Sequence, residues 1–289
     1  MEELSCGWRL YIRPDRISLS SKIKISKIRL FTLATTTLLH TMCDVLPTTR
    51  PQWQKAINDL PSSPAKIPAF FFAHGQPMLV WPKAIAPSAG RFAEVYKTAG
   101  PDGELAQFLQ DFGKALVEKY SPRAVVVFSA HWESSGRETL VTDYGEENPL
   151  LMDYYGFPPD LYQVKFKSKG DSGVAQEVVA ALKEAGISAR TTSISESRGM
   201  DGRNFRGPGL DHGVFVPFKH MFGDEMDIPV VQVSIDGSLN PAKEWALGKA
   251  VESLRHVSIF SSFPIETRYL PYLPFYFVDL DKFLSCPVV

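Results

Sequence analysis

Residues 124–132 read AVVVFSAHW. An apolar run of this kind, with no polar alternation, is a strand covered on both faces, as in the middle of a parallel or mixed sheet. The periodicity changes on either side. Upstream, residues 104–120 (ELAQFLQDFGKALVEKY) place Leu105, Phe108, Leu109, Phe112 and Leu116 on one helical face. A shorter apolar strand is expected from Ala69 to about Phe72. Downstream, residues 138–143 predict a strand, residues 173–185 an amphipathic helix closed by Gly186, and residues 188–194 (SARTTSI) an alternating strand. Residues 229–236 (PVVQVSID) predict a second buried strand, and a helix follows with Asn240 as N-cap and Pro241 at its first position. Strands alternating with helices predict an α/β layered domain, with a central, mostly parallel or mixed sheet flanked by helices.

The bulk composition is that of an ordinary globular chain. Its 289 residues are 44% hydrophobic and 22% charged, with a net charge of −1. A near-neutral balance gives no footprint for nucleic acid or another polyanion. No run of 18 apolar residues is present, so no membrane span is expected. Cys6, Cys43 and Cys286 are odd in number and lie near the ends, which draws neither a disulfide framework nor a CxxC site and favours a reducing compartment.

Residues 1–65 read differently. Seven basic residues between Arg9 and Arg29 face a single acid, Asp15, and a short apolar, threonine-rich stretch follows. Residues 44–67, with Pro47, Pro51, Pro61 and Pro64, read as a linker. The expectation is a poorly ordered extension and linker over residues 1–65, upstream of a domain over residues 66–289. A cytoplasmic location is expected; a basic, Ser/Thr-rich start leaves an organellar transit peptide as the alternative.

Three of the six histidines stand in similar places. His74 follows AFFFA, His131 follows AVVVFSA, and His212 lies in the Gly-rich GPGLDHG ahead of an apolar stretch. In open α/β sheets ligands bind outside the carboxyl ends of the strands. Imidazoles delivered there are metal ligands or acid–base groups. A lone histidine of this type is more often structural, but here that reading must hold three times. Glu133 is equally a partner for an imidazole or a solvated charge, and Asp211 either tunes His212 or faces water. Trp132, Tyr154, Tyr155 and Phe157 either line an aromatic pocket or pack a core. His40, His220 and His256 carry less: His220 is expected on the surface. No GxGxxG, P-loop, HExxH or GxSxG motif occurs, so nucleotide and serine-hydrolase chemistry have no anchor.

The order HGQPM (74–78), VVVFSAHW (125–132), DYYGFPPDLY (153–162), GLDHGVFVPF (209–218) and IPVVQVSID (228–236) resembles the class III extradiol ring-cleavage dioxygenases. Within them it is most similar to the single-chain 4,5-DOPA extradiol dioxygenase-like group, related to the catalytic LigB-type subunit. The resemblance covers residues 68–255 and makes residues 66–289 a LigB-like catalytic domain. It implies an α/β fold and one non-haem metal per chain, Fe(II) or Zn(II). It also implies that His74 and His131 are metal ligands and that His212 handles protons. The implied reaction opens the ring of a small catechol-type aromatic with O2, beside rather than between its two hydroxyls.

One feature departs from the resemblance. It implies a further ligand histidine after the last helix, beyond a strand. The tail from about residue 256, HVSIFSSFPIETRYLPYLPFYFVDLDKFLSCPVV, has none in that place, because His256 precedes the strand. The expectation is weak metal binding, with a catalytically impaired member that keeps its pocket as the alternative function.

Overall fold

The computed structural model describes residues 47, 49–62, 65–74, 76–134, 137–198, 205–257, 259–265 and 278–279. These all belong to the unit Val45–Val289. The basic N-terminal extension, with Met42, lies outside the described residues, as does most of the tail beyond Ile265. None of the helices among the described residues is long and apolar enough to cross a membrane.

In chain order the elements are helix α1 (Arg50–Asn58), strand β1 (Phe70–Ala73), α2 (Arg91–Ala99), α3 (Glu104–Tyr120), β2 (Ala124–Ser134) and β3 (Thr139–Thr142). They continue with β4 (Lys167–Ser168), α4 (Ser172–Glu184), β5 (Ala189–Thr192), α5 (His212–Phe222), β6 (Glu225–Met226) and β7 (Val230–Asp236). The last are α6 (Pro241–Val251), β8 (Ile259–Ile265) and β9 (Val278–Asp279). The main sheet has the order β5-β3-β7-β2-β8-β1-β9, and β4 pairs with β6 apart from it. The four central strands β7, β2, β8 and β1 run parallel, while β3 meets β7 and β9 meets β1 antiparallel. The expected mixed, mostly parallel α/β sheet is what forms.

Burial on both faces of β2 divides its side chains between two cores. Val125 and Val127 pack with Phe70, Phe72, Phe112, Phe215 and Phe218 against α3 and α5. Val126 and Phe128 pack with Val178, Leu182, Val233 and Leu247 against α4 and α6. Asn240 caps α6 through Ala242 N–H, as the sequence predicts, and Asp171 caps α4 through Val174 N–H.

The structure corrects the sequence expectation in two places. The stretch read as a linker contains α1, whose Trp53 and Ile57 are buried in the first core. Trp53 meets Phe108 edge to face at 6.1 Å, and its Nε1–H donates to Asp111 at 3.0 Å. Two apolar residues on a polar helix are a faint pattern, and the flanking prolines read as punctuation; Pro51 instead sits at the start of the helix, where it costs no hydrogen bond. Trp53→Ala should therefore lower stability by about 3 kcal/mol. A urea titration checks this; a change below about 1 kcal/mol would mean that α1 is not part of the domain core.

The second correction concerns His212. It does not stand in a loop but is the first residue of α5, with Asp211 as N-cap. The segment HGVFVPFKHMF contains Gly213, two valines and Pro217, all poor helix formers. Residues 212–218 are all buried, so tertiary packing rather than propensity holds this helix.

Candidate metal centre

The three histidines converge. His74 is the first residue beyond β1, His131 lies in the carboxyl-terminal half of β2, and His212 opens α5. Their ring centroids are 4.6 Å (His74 to His131), 5.3 Å (His74 to His212) and 4.2 Å (His131 to His212) apart. One nitrogen from each ring lies within 4.8 Å of the other two, and all three residues are buried.

Local backbone features aim these rings. The β2–β7 register runs from Ser129 opposite Ser234 to Glu133 opposite Ile235, which leaves residues 130–132 as a bulge with His131 at its centre. Bulges re-aim side chains at sheet rims. On the other side, residues 149–153 pair with the segment leading into α5. Leu210 N–H donates to Pro149 O and Leu151 N–H to Leu210 O, both at 2.8 Å. The pairing is close because residue 209 is glycine, at φ +129°; a Cβ there would lie 2.7 Å from the Leu151 nitrogen. Gly213 plays a similar part, since a Cβ on it would meet Ser129 Oγ at 3.0 Å and His74 Cδ2 at 3.6 Å.

This pairing delivers Asp153, which the sequence reading passed over. Its Oδ2 lies 2.7 Å from His131 Nδ1, and its Oδ1 lies 2.7 Å from His212 Nδ1. Oδ1 also accepts the backbone N–H of His212 at 2.7 Å, which caps the first turn of α5. Burial alone would push this carboxyl up, but the hydrogen bonds from the two imidazoles hold it well below the usual carboxylate range. An ionised carboxylate only accepts, so each Nδ1 carries a hydrogen, and in a neutral ring of that tautomer Nε2 keeps the lone pair. Burial also lowers His212 against the pull of Asp153, so its ring is neutral.

Beneath the imidazoles lies a second buried carboxylate, Asp211. It accepts from Ser129 Oγ (2.7 Å), Arg198 Nη1 (2.8 Å) and Gln232 Nε2 (2.5 Å). Arg198 is 1% exposed. Its guanidinium also donates to Gly209 O at 3.2 Å and lies 5.1 Å from the centre of the Trp132 ring. Burial would raise Asp211; Arg198, His131 and the Ser129 hydroxyl together outweigh it and hold the carboxyl below its ordinary range. So Asp211 faces a buried arginine rather than water, and its side chain does not cap α5.

The four aromatic candidates separate. Tyr154 lies edge-on to His212 at 5.4 Å, its hydroxyl donating to Leu161 O at 2.5 Å, and Phe157 lies 5.6 Å from Tyr154. Tyr155 is 75% exposed and stacks on Phe205 at 6.3 Å. Trp132 is buried under Arg198, to whose carbonyl its Nε1–H donates at 2.5 Å, so it braces the lower layer instead of walling a pocket. Asp153, not Glu133, holds the imidazoles; Glu133 adds only slightly to the raising of Glu244, which comes mainly from burial. His220, expected on the surface, is half-buried and bonds Leu79 O through Nε2 at 2.8 Å. The structure leaves the side chain of His256 undescribed.

Buried imidazoles backed by a carboxylate at the carboxyl ends of parallel strands define an α/β protein with a metal-type centre. A family model described as the catalytic LigB subunit of aromatic ring-opening dioxygenase matches residues 69–262, and the chain belongs to that family. It is 41% identical over 204 residues to the 4,5-DOPA dioxygenase extradiol-like protein of Schizosaccharomyces pombe, covering 70% of this chain and 62% of that protein. It is 30% identical to 4,5-DOPA dioxygenase extradiol of Beta vulgaris, covering 64% of this chain and 56% of that one. The enzyme of the same name from Escherichia coli is also 30% identical, over 70% of this chain and 60% of its own. The chain thus spans about 60% of the length of the relatives it matches.

Proposed function

We propose that this chain is an extradiol-type ring-opening dioxygenase acting on a small catechol-type aromatic and O2, at one metal ion held by His74 and His131. The observation that carries the reading is the convergence of three buried imidazoles, two of them oriented by one carboxylate. Nitrogen donors suit either Fe(II) or Zn(II), and the ring-opening chemistry calls for the redox-active iron. When bound, the ion supplies a place where the catechol and O2 meet and exchange charge.

The protein's own groups do the rest. Asp153 holds the tautomer of His131, so that Nε2 faces the site as a lone pair. The neutral ring of His212 accepts a phenolic proton once the aromatic is seated. Tyr154 and Phe157 offer edges and faces to a flat ring, while Tyr155 is exposed and stacks on Phe205. In the overall reaction both oxygen atoms end in the product as the carbon–carbon bond beside the diol breaks, so no outside reductant is consumed.

Oxygen uptake with DOPA or another catechol, run beside metal analysis, tests the reading. The expected result is one O2 per catechol without added reductant, and loss of both metal and uptake in His74→Ala and His131→Ala. His212→Ala should slow uptake by about 10²–10⁴-fold. Undiminished uptake in either of the first two variants would sink the assignment. The other reading is a pocket that binds aromatics without turning them over. Stoichiometric metal with tight catechol binding but no uptake would select it.

A further inference from the structure

We infer that His220, a histidine outside the buried cluster, is a positioning residue of this centre. Through the carbonyl of Leu79 it fixes the stretch of chain between His74 and Trp81, and so sets the place of one imidazole and of the aromatic wall beside it. This rests on the metal reading above but not on the ring-opening reaction.

The chain leaves β1, delivers His74, and soon enters a single 3-10 turn, Pro77–Val80. There Leu79 N–H donates to Gln76 O at 3.0 Å and Trp81 N–H to Met78 O at 3.1 Å. A turn this short leaves its last carbonyls without partners of their own. His220 Nε2, in the last turn of α5, lies 2.8 Å from Leu79 O. A carbonyl only accepts, so this nitrogen carries the hydrogen and closes the turn. Leu79 is fully buried, where an unpaired carbonyl is costly.

The two ends of α5 thus hold two sides of the centre. Its first residue, His212, stands 5.3 Å from the His74 ring, and its last turn grips the segment that follows His74. That last turn is fixed against α3. A Cβ on Gly113 would lie 2.3 Å from Met221 O, so the two backbones touch right beside His220. The neighbouring cation, Lys219, turns instead to Asp224 and the carbonyl of Lys165. Beyond the 3-10 turn comes Trp81, whose Nε1–H donates to Ile85 O at 2.8 Å and whose ring meets Phe157 edge to face at 6.0 Å. Phe157 in turn meets Tyr154, and Tyr154 meets His212. A shift of the turn would move His74 and Trp81 together, and small displacements of binding groups have large effects on a site.

The test compares His220→Met and His220→Gln in the full chain. The two side chains have nearly the same length and shape, but only the amide can donate to Leu79 O. His220→Asn, polar but too short to reach, is a second loss variant, and circular dichroism establishes that each is folded. Hydrogen exchange of residues 76–81 is followed in the metal-free protein. Zn(II) affinity is measured by competition with a chromophoric chelator, and Co(II) is bound for its visible spectrum. In His220→Met and His220→Asn, exchange of this segment should speed up by about 10-fold. Zn(II) affinity should fall by about 10-fold, the lower end of the cost of an outer partner, and the bands of bound Co(II) should shift. His220→Gln should recover most of all three. If His220→Met loses only thermal stability, and the folded protein keeps parent-like affinity and Co(II) bands, the inference is overturned and the metal reading stands. A loss in His220→Gln as large as that in His220→Met would overturn it too. A parent that takes up no stoichiometric metal would overturn the metal reading and the inference with it.

Discussion

Replacing Asp153 by asparagine should cost the protein its metal while leaving most of its stability. The two side chains have the same shape, but the amide has only one accepting oxygen. On the α5 side the carboxylate accepts the His212 backbone N–H as well as its Nδ1–H. The backbone N–H cannot change roles, so the amide oxygen should take that side. The NH2 group then faces His131 Nδ1, now held at 2.7 Å by Oδ2. To accept from it, His131 must move its proton to Nε2, the nitrogen needed by a metal. The expected result is a fall of at least about 10–100-fold in metal affinity. The accompanying loss of stability is about 1–3 kcal/mol, the cost of one badly satisfied buried group. Asp153→Ala should lose as much affinity and more stability, because two Nδ1–H groups and the first turn of α5 lose their acceptor. Metal titration and urea denaturation of the two variants check this. Parent-like metal affinity in Asp153→Asn would show that the carboxylate does not set the tautomer.

The second large effect is expected at Arg198. Among the described residues the guanidinium is the only lysine or arginine cation bonded to Asp211, and both groups are almost wholly buried. Arg198→Met keeps much of the side-chain volume and the contact with Trp132, but it leaves a buried carboxylate without its counter-charge. Breaking one side of a buried ion pair costs about 3–5 kcal/mol. That is a large share of the roughly 5–15 kcal/mol that holds a domain folded. The variant should therefore unfold at much lower urea concentration. Adding Asp211→Asn removes the stranded charge while keeping an oxygen for Ser129 and Gln232, so the double variant should recover at least about 1 kcal/mol. If the double variant is less stable than Arg198→Met, or the single variant matches the parent, the pair is not the electrostatic floor of the site.

These two residues mark the boundary of what the sequence made legible. The strands at 124–130 and 229–236, the helices at 104–120 and 173–185 and the cap at Asn240 could all be read locally. Hydrophobic period, capping residues and turn residues are properties of a few neighbours in the chain. The same locality made His74, His131 and His212 visible, because each follows or precedes an apolar run. Helix α1 escaped because its signal is only Trp53 and Ile57 among polar residues. Helix α5 escaped because burial overrode the poor propensities of Gly213 and Pro217. Asp153 was hidden inside an aromatic loop motif, DYYGFPP, whose tyrosines drew the reading toward pocket walls.

By itself the sequence determined the α/β class, the order of the main strands and helices, and the three imidazoles, since side-chain periodicity and composition act over short stretches. Only the tertiary structure decided which acids serve the site. Asp153 lies 59 residues from His212, and Arg198 lies 67 residues from the His131 carbonyl it approaches. On any local criterion Asp153 and Asp211 could have faced water and Glu133 could have served the imidazoles. Their roles follow from a β-bulge, a close loop pairing at Gly209 and a helix held by burial, which together enclose the charges where only paired ones are tolerated.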